Sequence, residues 1–300
     1  MSLTETDPSQ LYTSRRQLLV AAGLMAAGFL LPGCSSDAPT QTDASIDPSF
    51  LNGDVYKART HDITHDPIFR SATGSLLTHD SIKKTTTTSS IFPYLASDGK
   101  VLIGTVGHAV DDTFGGGDVY CYFPGLGKPL AVSSRPQVTD LDDETDGKKS
   151  ILFSAHIRDQ VSRAIDRKIL APLSFANQEP AVGDTLRHAN VETGKFDVMR
   201  YCGKLTLIQN VVRKIVVADS VLVKLGVNIP TTQSQLDALI NKLVSGQGDA
   251  ASLINQFVCS GDSGSPFLNA GNEVVGVGQS INPSIANQYN QKCGPLTALS

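Results

Sequence analysis

The residues best suited to chemistry lie in one hexapeptide, Gly261-Asp262-Ser263-Gly264-Ser265-Pro266, which precedes an apolar segment. A serine flanked by glycines on a tight turn lets backbone N–H groups converge near its Oγ, where they can stabilise a developing oxyanion. Removing one such donor costs roughly 3–4 kcal/mol of transition-state stabilisation. A Gly/Ser surface turn is the alternative interpretation, but all six residues together are rare in such a turn. The hexapeptide therefore predicts a nucleophile at Ser263.

A serine hydroxyl is a poor nucleophile near neutral pH and needs a general base. Histidine is the natural choice, since an unperturbed pKa of about 6.5 lets it accept the serine proton and return it to a leaving group. The sequence contains six histidines, and His108 follows the apolar β-rich run 102–106 in a context that resembles the family segment described below. We therefore predict that His108 is the base for Ser263.

The other histidines have ordinary explanations. His61 and His65 have the spacing of a helical metal pair, but Pro67 follows and further ligands are lacking, so we expect no metal site. His79 and His188 are predicted to lie in polar loops, and His156 on the outward face of a strand.

Residues 261–266 resemble the nucleophile loop of the chymotrypsin-like (trypsin-family) serine proteases, with Ser263 at the nucleophile. Gly261 and Ser263 match the residues whose N–H groups form that family's oxyanion hole. Residues 102–110 resemble its catalytic-histidine segment, and residues 274–277 resemble the strand that lines its substrate cleft. The resemblance implies a serine endopeptidase that acts on polypeptides through an acyl-enzyme and uses no cofactor.

The family places an orienting aspartate between the histidine and the serine, directly before a buried strand, and several residues compete for this role. Asp146 is the closest carboxylate upstream of the run at 151–157, although residues 147–150 intervene. Asp166 is the runner-up, although charged residues follow it where the family has apolar or small ones. The remaining candidates are Asp140, Asp142, Asp143 and Asp159. We expect Asp146 to complete the triad.

Short β-rich runs separated by turn residues predict an all-β fold. An Asp-Gly turn joins the runs at 91–95 and 101–106, and further strands are predicted at 118–123, 151–157, 204–212, 214–217 and 221–227. Apolar residues at helical spacing predict one helix at 233–244, inserted before the nucleophile loop. The resemblance implies two antiparallel β-barrels packed side by side, at about 88–175 and 183–300.

Residues 1–33 are predicted to be an export signal. Two arginines, Arg15 and Arg16, precede the uncharged run 18–31, which would rise only about 21 Å as a helix, less than the ~30 Å needed to span a membrane. The paired arginines resemble the twin-arginine signal. The segment ending at Cys34 resembles a lipobox, in which cleavage before the cysteine makes it the N-terminal residue and its thiol takes a lipid.

The rest of the chain divides into a polar stretch and a folded domain. Residues 34–55 are rich in Ser, Thr, Asp and Pro, which predicts a flexible tether, and residues 56–300 form the expected protease domain. The formal net charge of −4 offers no basic excess for binding phosphates, so we expect no nucleic-acid partner. We expect a monomer, attached by lipid to a bacterial cell envelope on its periplasmic or extracellular face.

The resemblance also implies a disulfide pairing. The family has a half-cystine at the position of Cys259, and its partner corresponds to Cys293. This pairing leaves Cys121 with Cys202 as a second bridge in an oxidising compartment.

The same resemblance places Phe257 at the base of the primary specificity pocket, with Gln279 and Ile281 on the cleft wall. An apolar ring cannot pair with a cation, so we expect a small or apolar substrate side chain. Ile281 stands where the family usually has glycine and would narrow the pocket. The narrowed pocket and the open choice of the third triad residue leave one alternative, a catalytically impaired surface-binding lipoprotein on the same fold.

Overall fold

The structure, a computed structural model, describes residues 67–80, 85–113, 118–126, 129–142, 147–190, 195–208, 211–245, 258–259, 261–281 and 293–300. All of them belong to one compact unit. They form a curled seven-stranded sheet followed by a closed six-stranded barrel. This architecture confirms the predicted all-β class with two barrel-like halves of the chymotrypsin-like type.

The N-terminal half is an antiparallel sheet with the strand order β5-β4-β1-β2-β3-β7-β6. Its strands are β1 (Gly74–Asp80), β2 (Thr85–Leu95), β3 (Val101–Val106), β4 (Asp118–Tyr122), β5 (Leu130–Ala131), β6 (Gln137–Asp140) and β7 (Lys148–Leu152). Helix α1 (Pro67–Ala72) precedes the sheet, α2 (Gly107–Thr113) follows β3, a 3₁₀ turn spans Pro124–Leu126, and α3 (Ala155–Asp166) follows β7. Ile91, Ile103 and Ile151, from three adjacent strands, pack with Ile157 and Val161 of α3 in one core.

The C-terminal half is a closed barrel with the strand order β10-β15-β13-β12-β8-β9. Its strands are β8 (Thr185–Asn190), β9 (Lys195–Ile208), β10 (Val211–Ala218), β12 (Pro266–Leu268), β13 (Val274–Ile281) and β15 (Leu296–Leu299). A separate antiparallel pair joins β11 (Val258–Cys259) to β14 (Cys293–Gly294), and the helices are α4 (Asp219–Leu225) and α5 (Gln233–Val244). None of the helices in these ranges is long and apolar enough to cross a membrane.

The predicted helix at 233–244 is confirmed as α5. It begins with a capping box, in which the Thr232 side chain accepts from the Gln235 N–H and the Gln235 side chain accepts from the Thr232 N–H. Its buried face packs against the barrel core through Leu236, Leu239 and Leu243. The insertion is therefore part of the barrel's hydrophobic core.

The prediction of a strand at 221–227 is wrong, since these residues belong mainly to helix α4. Val221 and Leu222 are buried against the barrel, while Val223 is exposed, so the apolar run has one inward face and one outward face. Gly226 ends the helix in the left-handed conformation, with φ 61°.

The strand predicted at 151–157 is also shorter than expected. Strand β7 ends at Leu152, and α3 begins at Ala155, so His156 lies on an exposed helical face instead of on a strand. Ile157, Val161 and Ala164 are buried on one face of α3, at the spacing of helical turns. The single apolar run covered the end of one element and the start of the next.

The two halves meet through a buried apolar cluster, here called the interface cluster. Its members are Phe69, Ala72, Phe92, Tyr94, Val106, Ala109, Leu173, Ala189, Leu268, Val274 and Val277. The segment between the halves is bonded to both, because the Leu173 N–H donates to Pro93 O (2.9 Å) and the Ala176 N–H donates to Val274 O (2.9 Å). Burial of these side chains holds β2 and β3 against β12 and β13.

Gly104 gives a test of the packing on the N-terminal side of this interface. A Cβ at this position would lie 2.4 Å from Cζ of Phe92, its fully buried cross-strand partner. We expect Gly104→Ala to lower the free energy of unfolding by about 1–3 kcal/mol, measured by chemical denaturation, because the ring has no room to move. The double variant Gly104→Ala/Phe92→Leu should lose less than the sum of the two single changes. Strictly additive losses would contradict the contact.

Candidate active site

Ser263 lies on a tight turn between β11 and β12. The Ser265 N–H donates to Asp262 O at 2.8 Å, which closes a four-residue turn, and Gly264 has φ +89°. A positive φ at the third position is the signature of a type II turn and is readily adopted only by glycine. The Gly264 that follows the serine is therefore required by the turn that presents Ser263.

This turn docks on the N-terminal sheet through Ser90 of β2. The Ser90 N–H donates to Ser263 O at 2.8 Å, and the Ser90 hydroxyl donates to Gly261 O at 2.9 Å. The Thr105 hydroxyl of the adjacent strand β3 donates to Ser90 O at 2.8 Å. The backbone and hydroxyl of Ser90, itself held by Thr105, thus fix the position of a turn that belongs to the other half.

At Gly264 the backbones of the two halves lie too close together for a side chain. A Cβ at this position would lie 2.2 Å from both Ser90 O and Thr105 Oγ1. On the other side of the turn, the Gly264 N–H donates to Gly278 O at 2.9 Å, on strand β13. The turn is therefore held between the sheet and the barrel.

His108 lies in the first turn of α2, directly after β3, and is partly buried. It follows Thr105 by three residues, a span of at most about 10 Å along the chain. Its neighbour Ala109 belongs to the interface cluster. The hydroxyl of Ser263, also partly buried, donates to Gln279 O of β13 at 3.4 Å. The fold thus brings the end of the strand that leads into His108 to the turn that carries Ser263.

The backbone around Ser263 offers donors for a negatively charged oxygen. Gly261 has φ +104°, a conformation that favours glycine. Within the described part of the chain, the N–H groups of Gly261 and Ser263 donate to no protein acceptor. Two N–H groups that no described acceptor engages, beside a serine hydroxyl, are what an oxyanion hole requires.

Most of the candidate aspartates are engaged elsewhere or exposed. Asp140 pairs with Lys149, and Asp142 accepts from the Lys148 N–H at 3.1 Å while its carboxylate lies 3.7 Å from Lys148 Nζ. Asp159 and Asp166 are exposed on helix α3. Asp143 and Asp146 lie outside the described residues.

One backbone contact bears on the choice among the aspartates. The Gly107 N–H donates to Gly147 O at 3.1 Å, which extends the pairing of β3 with β7 beyond Val106 and Lys148. Gly107 precedes His108, and Gly147 follows Asp146 in the sequence. The described residue that follows Asp146 in the sequence is therefore bonded to the residue that precedes His108.

The predicted specificity residues are only partly described. Gln279 is buried in β13, and Ile281 is the last residue of the same strand. Phe257 lies outside the described residues, as do Cys34, the predicted lipidation residue, and residues 1–33, the predicted export signal. Among the described residues, no group of three or more His, Cys, Asp or Glu side chains is placed to bind a metal.

The predicted disulfide between Cys121 and Cys202 is wrong. Both thiols are free and buried, Cys121 in the core of the N-terminal sheet and Cys202 in that of the barrel. Burial raises the pKa of Cys121 well above its ordinary value and that of Cys202 to about 12, so neither thiol is reactive. Their membership of separate cores prevents pairing.

The bridge between Cys259 and Cys293 remains a prediction. Strands β11 and β14 place these residues directly opposite each other as antiparallel partners. Such partners have Cα atoms about 4.5–5.5 Å apart, within the range of about 4.4–6.8 Å that a disulfide spans. The backbone register is therefore compatible with the bridge.

Sequence reasoning missed a buried histidine next to the serine turn. His188, predicted in a polar loop, is fully buried in β8, and His79 lies in β1. The His188 Nε2 atom lies 2.8 Å from the Ser265 hydroxyl, and its ring stacks on Phe267 at a centroid distance of 4.4 Å. The alternation of Leu186 and His188 along one strand face was the signal available in the sequence.

Comparison with known proteins gives structural likeness at low sequence identity. No family profile matches the chain, and no curated protein matches it. The active form of the Rv3671c protease from M. tuberculosis is similar at 15% identity with a TM-score of 0.40, over 91% of this chain and 90% of that one. An inactive mutant form from M. tuberculosis H37Rv is similar at 15% identity and a TM-score of 0.40, over 85% and 88%. A further inactive form gives 16% identity and a TM-score of 0.38, over 82% and 96%. Function is therefore inferred from this chain's own residues.

Proposed function

We propose that this protein is an exported, membrane-anchored serine endopeptidase that hydrolyses peptide bonds through Ser263, His108 and Asp146. The observation that carries the proposal is the docking of the Ser263 turn on Ser90 and Thr105. This contact brings the serine to the end of the strand that continues into His108. The same turn presents the Ser263 hydroxyl beside two N–H groups that donate to no acceptor among the described residues, which is the arrangement that acyl transfer requires.

The reaction is an acyl transfer in two halves. His108 takes the proton of the Ser263 hydroxyl as Oγ attacks the peptide carbonyl, and the N–H groups of Gly261 and Ser263 receive the oxygen that becomes negative. His108 then gives the proton to the departing amine, which leaves an acyl-enzyme. Water then attacks the acyl-enzyme carbonyl while His108 takes its proton, and His108 returns that proton to Ser263 Oγ as the acid leaves. The enzyme is thereby restored to its starting state.

Asp146 is the proposed orienting carboxylate. The hydrogen bond between Gly107 and Gly147 supports this choice, because each glycine is the sequence neighbour of one proposed triad member. A carboxylate beside the imidazole holds it in the correct tautomer and stabilises the imidazolium that forms during the reaction. Asp166, the alternative, lies exposed at the end of α3 and is a weaker candidate.

The proposed substrate is a polypeptide with a small or apolar side chain at the primary pocket. Phe257 would form the base of this pocket, with Gln279 and Ile281 on its wall. Support comes from Gln279, which is buried in β13 and whose backbone carbonyl accepts from the Ser263 hydroxyl. A charged substrate side chain would find no counter-ion among these three residues.

The anchoring is proposed from the N-terminal sequence. The paired arginines Arg15 and Arg16, the short uncharged run after them and Cys34 form a signal followed by a lipidation residue. A lipid on Cys34 and a polar tether over 34–55 would hold the folded domain at the surface of the cell envelope. One acyl anchor is weak, so lipobox processing, which attaches a diacylglycerol, suits stable attachment.

The test of the activity is labelling by a fluorophosphonate probe, which traps an activated serine. We expect the wild-type protein to form an adduct on Ser263 and the Ser263→Ala variant to form none, measured by intact mass and peptide mapping. Ser134→Ala, which changes an exposed serine of the N-terminal half, is the matched control and should label like wild type. A folded wild-type protein without a Ser263-dependent adduct would favour the alternative, a catalytically impaired surface-binding lipoprotein.

The assignment of the third residue is tested by paired amide substitutions. We expect Asp146→Asn to lower kcat by about 10³–10⁴-fold, because the imidazole loses the carboxylate that sets its tautomer. Asp166→Asn should leave kcat near that of wild type. The measurement is steady-state hydrolysis of a peptide substrate with an apolar residue before the cleaved bond. A large loss in the Asp166 variant with none in the Asp146 variant would reverse the assignment.

A further inference from the structure

Among the histidines whose side-chain burial the structure describes, His108, His156 and His188, only His188 is completely buried, and its ring has close neighbours on three sides. Its Nε2 atom lies 2.8 Å from Oγ of Ser265, and one face stacks on Phe267, its cross-strand neighbour in β12. Its Nδ1 atom lies 4.0 Å from Oδ2 of Asp197 on the adjacent strand β9. The ring is therefore held by a hydrogen-bond contact at Nε2 and by stacking on one face.

The direction of the hydrogen bond follows from these neighbours. Burial lowers the pKa of His188 to about 3, so the ring is neutral near pH 7 and carries one N–H. The carboxylate of Asp197 favours that proton on Nδ1, which leaves Nε2 as an acceptor. The Ser265 hydroxyl therefore donates to Nε2, and its rotamer is set by the histidine.

Ser265 is the residue that closes the turn carrying Ser263. Its N–H donates to Asp262 O at 2.8 Å, and its carbonyl accepts from the Gly278 N–H at 3.0 Å. The side-chain bond to His188 adds a third attachment. Ser265 thus connects the turn to strands β13 and β8 of the barrel, on the side opposite to Ser90.

We infer that His188 is a positioning residue for the reaction of Ser263, acting through the hydroxyl of Ser265 to hold the nucleophile turn in its working geometry. The inference rests on the proposed function, since it concerns the alignment of the same serine. The docking on Ser90 fixes the start of the turn, and the pair formed by His188 and Ser265 fixes its end. The backbone bonds to Gly278 hold the peptide planes between these two points, and the pair of His188 and Ser265 adds the side-chain attachment on the barrel side.

The alignment matters because the oxyanion donors belong to the same turn. The N–H groups of Gly261 and Ser263 must point at one oxygen position, and their directions depend on the peptide planes of the turn. A displacement of about 1 Å in such a constellation can cost about 10²-fold in rate. Loss of the bond between His188 and Ser265 therefore slows the chemistry while leaving substrate binding largely intact.

The experiment uses the full-length protein and separates rate from folding. For wild type, Ser265→Ala, His188→Leu and the double variant, fluorophosphonate labelling gives the final labelled fraction and the rate constant for the labelled molecules. We expect rate constants lower by about 10–100-fold in both single variants, and no further loss in the double variant. Peptide hydrolysis should show the loss in kcat with little change in KM.

Two further variants distinguish positioning from stability. His188→Gln keeps an acceptor for the Ser265 hydroxyl and should label faster than His188→Leu. Thr78→Val removes a buried hydroxyl in the N-terminal sheet and should keep the wild-type rate constant, even if the labelled fraction falls. A purely structural role predicts lower labelled fractions with unchanged rate constants.

The failures of the two proposals are distinguishable. Wild-type labelling at Ser263 with an equal rate constant in Ser265→Ala would overturn the role of His188 and leave the peptidase proposal intact. Additive losses in the double variant would also overturn it, since the two residues would then act independently. Absence of a Ser263-dependent adduct in wild type would overturn the proposed function, and with it the inference.

Discussion

The contact between the Ser263 turn and strands β2 and β3 is the constraint on which the site depends. The serine belongs to the barrel and the histidine to the N-terminal sheet, so their separation is set by how the two halves meet. Apolar burial in the interface cluster brings the halves together, but it is not directional. The hydrogen bonds of Ser90 to Ser263 and Gly261 supply the direction that burial lacks.

Glycine makes this contact possible. A side chain at position 264 would overlap Ser90 O and the Thr105 hydroxyl, and the left-handed backbone there is itself unfavourable for other residues. The turn can therefore lie directly on the strands of the other half. On its opposite side, Gly278 O accepts from the Gly264 N–H, the Gly278 N–H donates to Ser265 O, and the buried His188 lies 2.8 Å from the Ser265 hydroxyl. The exposed face of the turn carries the serine because its other faces are occupied.

Sequence reasoning succeeded where the signal was local. The helix at 233–244 has apolar spacing and a capping box within its own residues, and the strand at 101–106 is bounded by a turn and the histidine segment. It failed where one apolar run could serve two structures, as at 221–227, which became a helix because only one face is covered by the barrel. It also failed for Cys121 and Cys202, since counting cysteines does not reveal which core encloses each thiol.

The amino-acid sequence by itself determined the all-β class, the turn around Ser263 and the segment of His108, because these depend on residue types a few positions apart. Only the tertiary structure decided that Ser90 and Thr105 support the serine turn and that His188 is buried beneath it. Those partners lie far apart in the chain, and their meeting depends on strand register and on the packing of two separate sheets. Contacts of this kind arise from the summed geometry of the fold, for which no short stretch of residues carries a pattern.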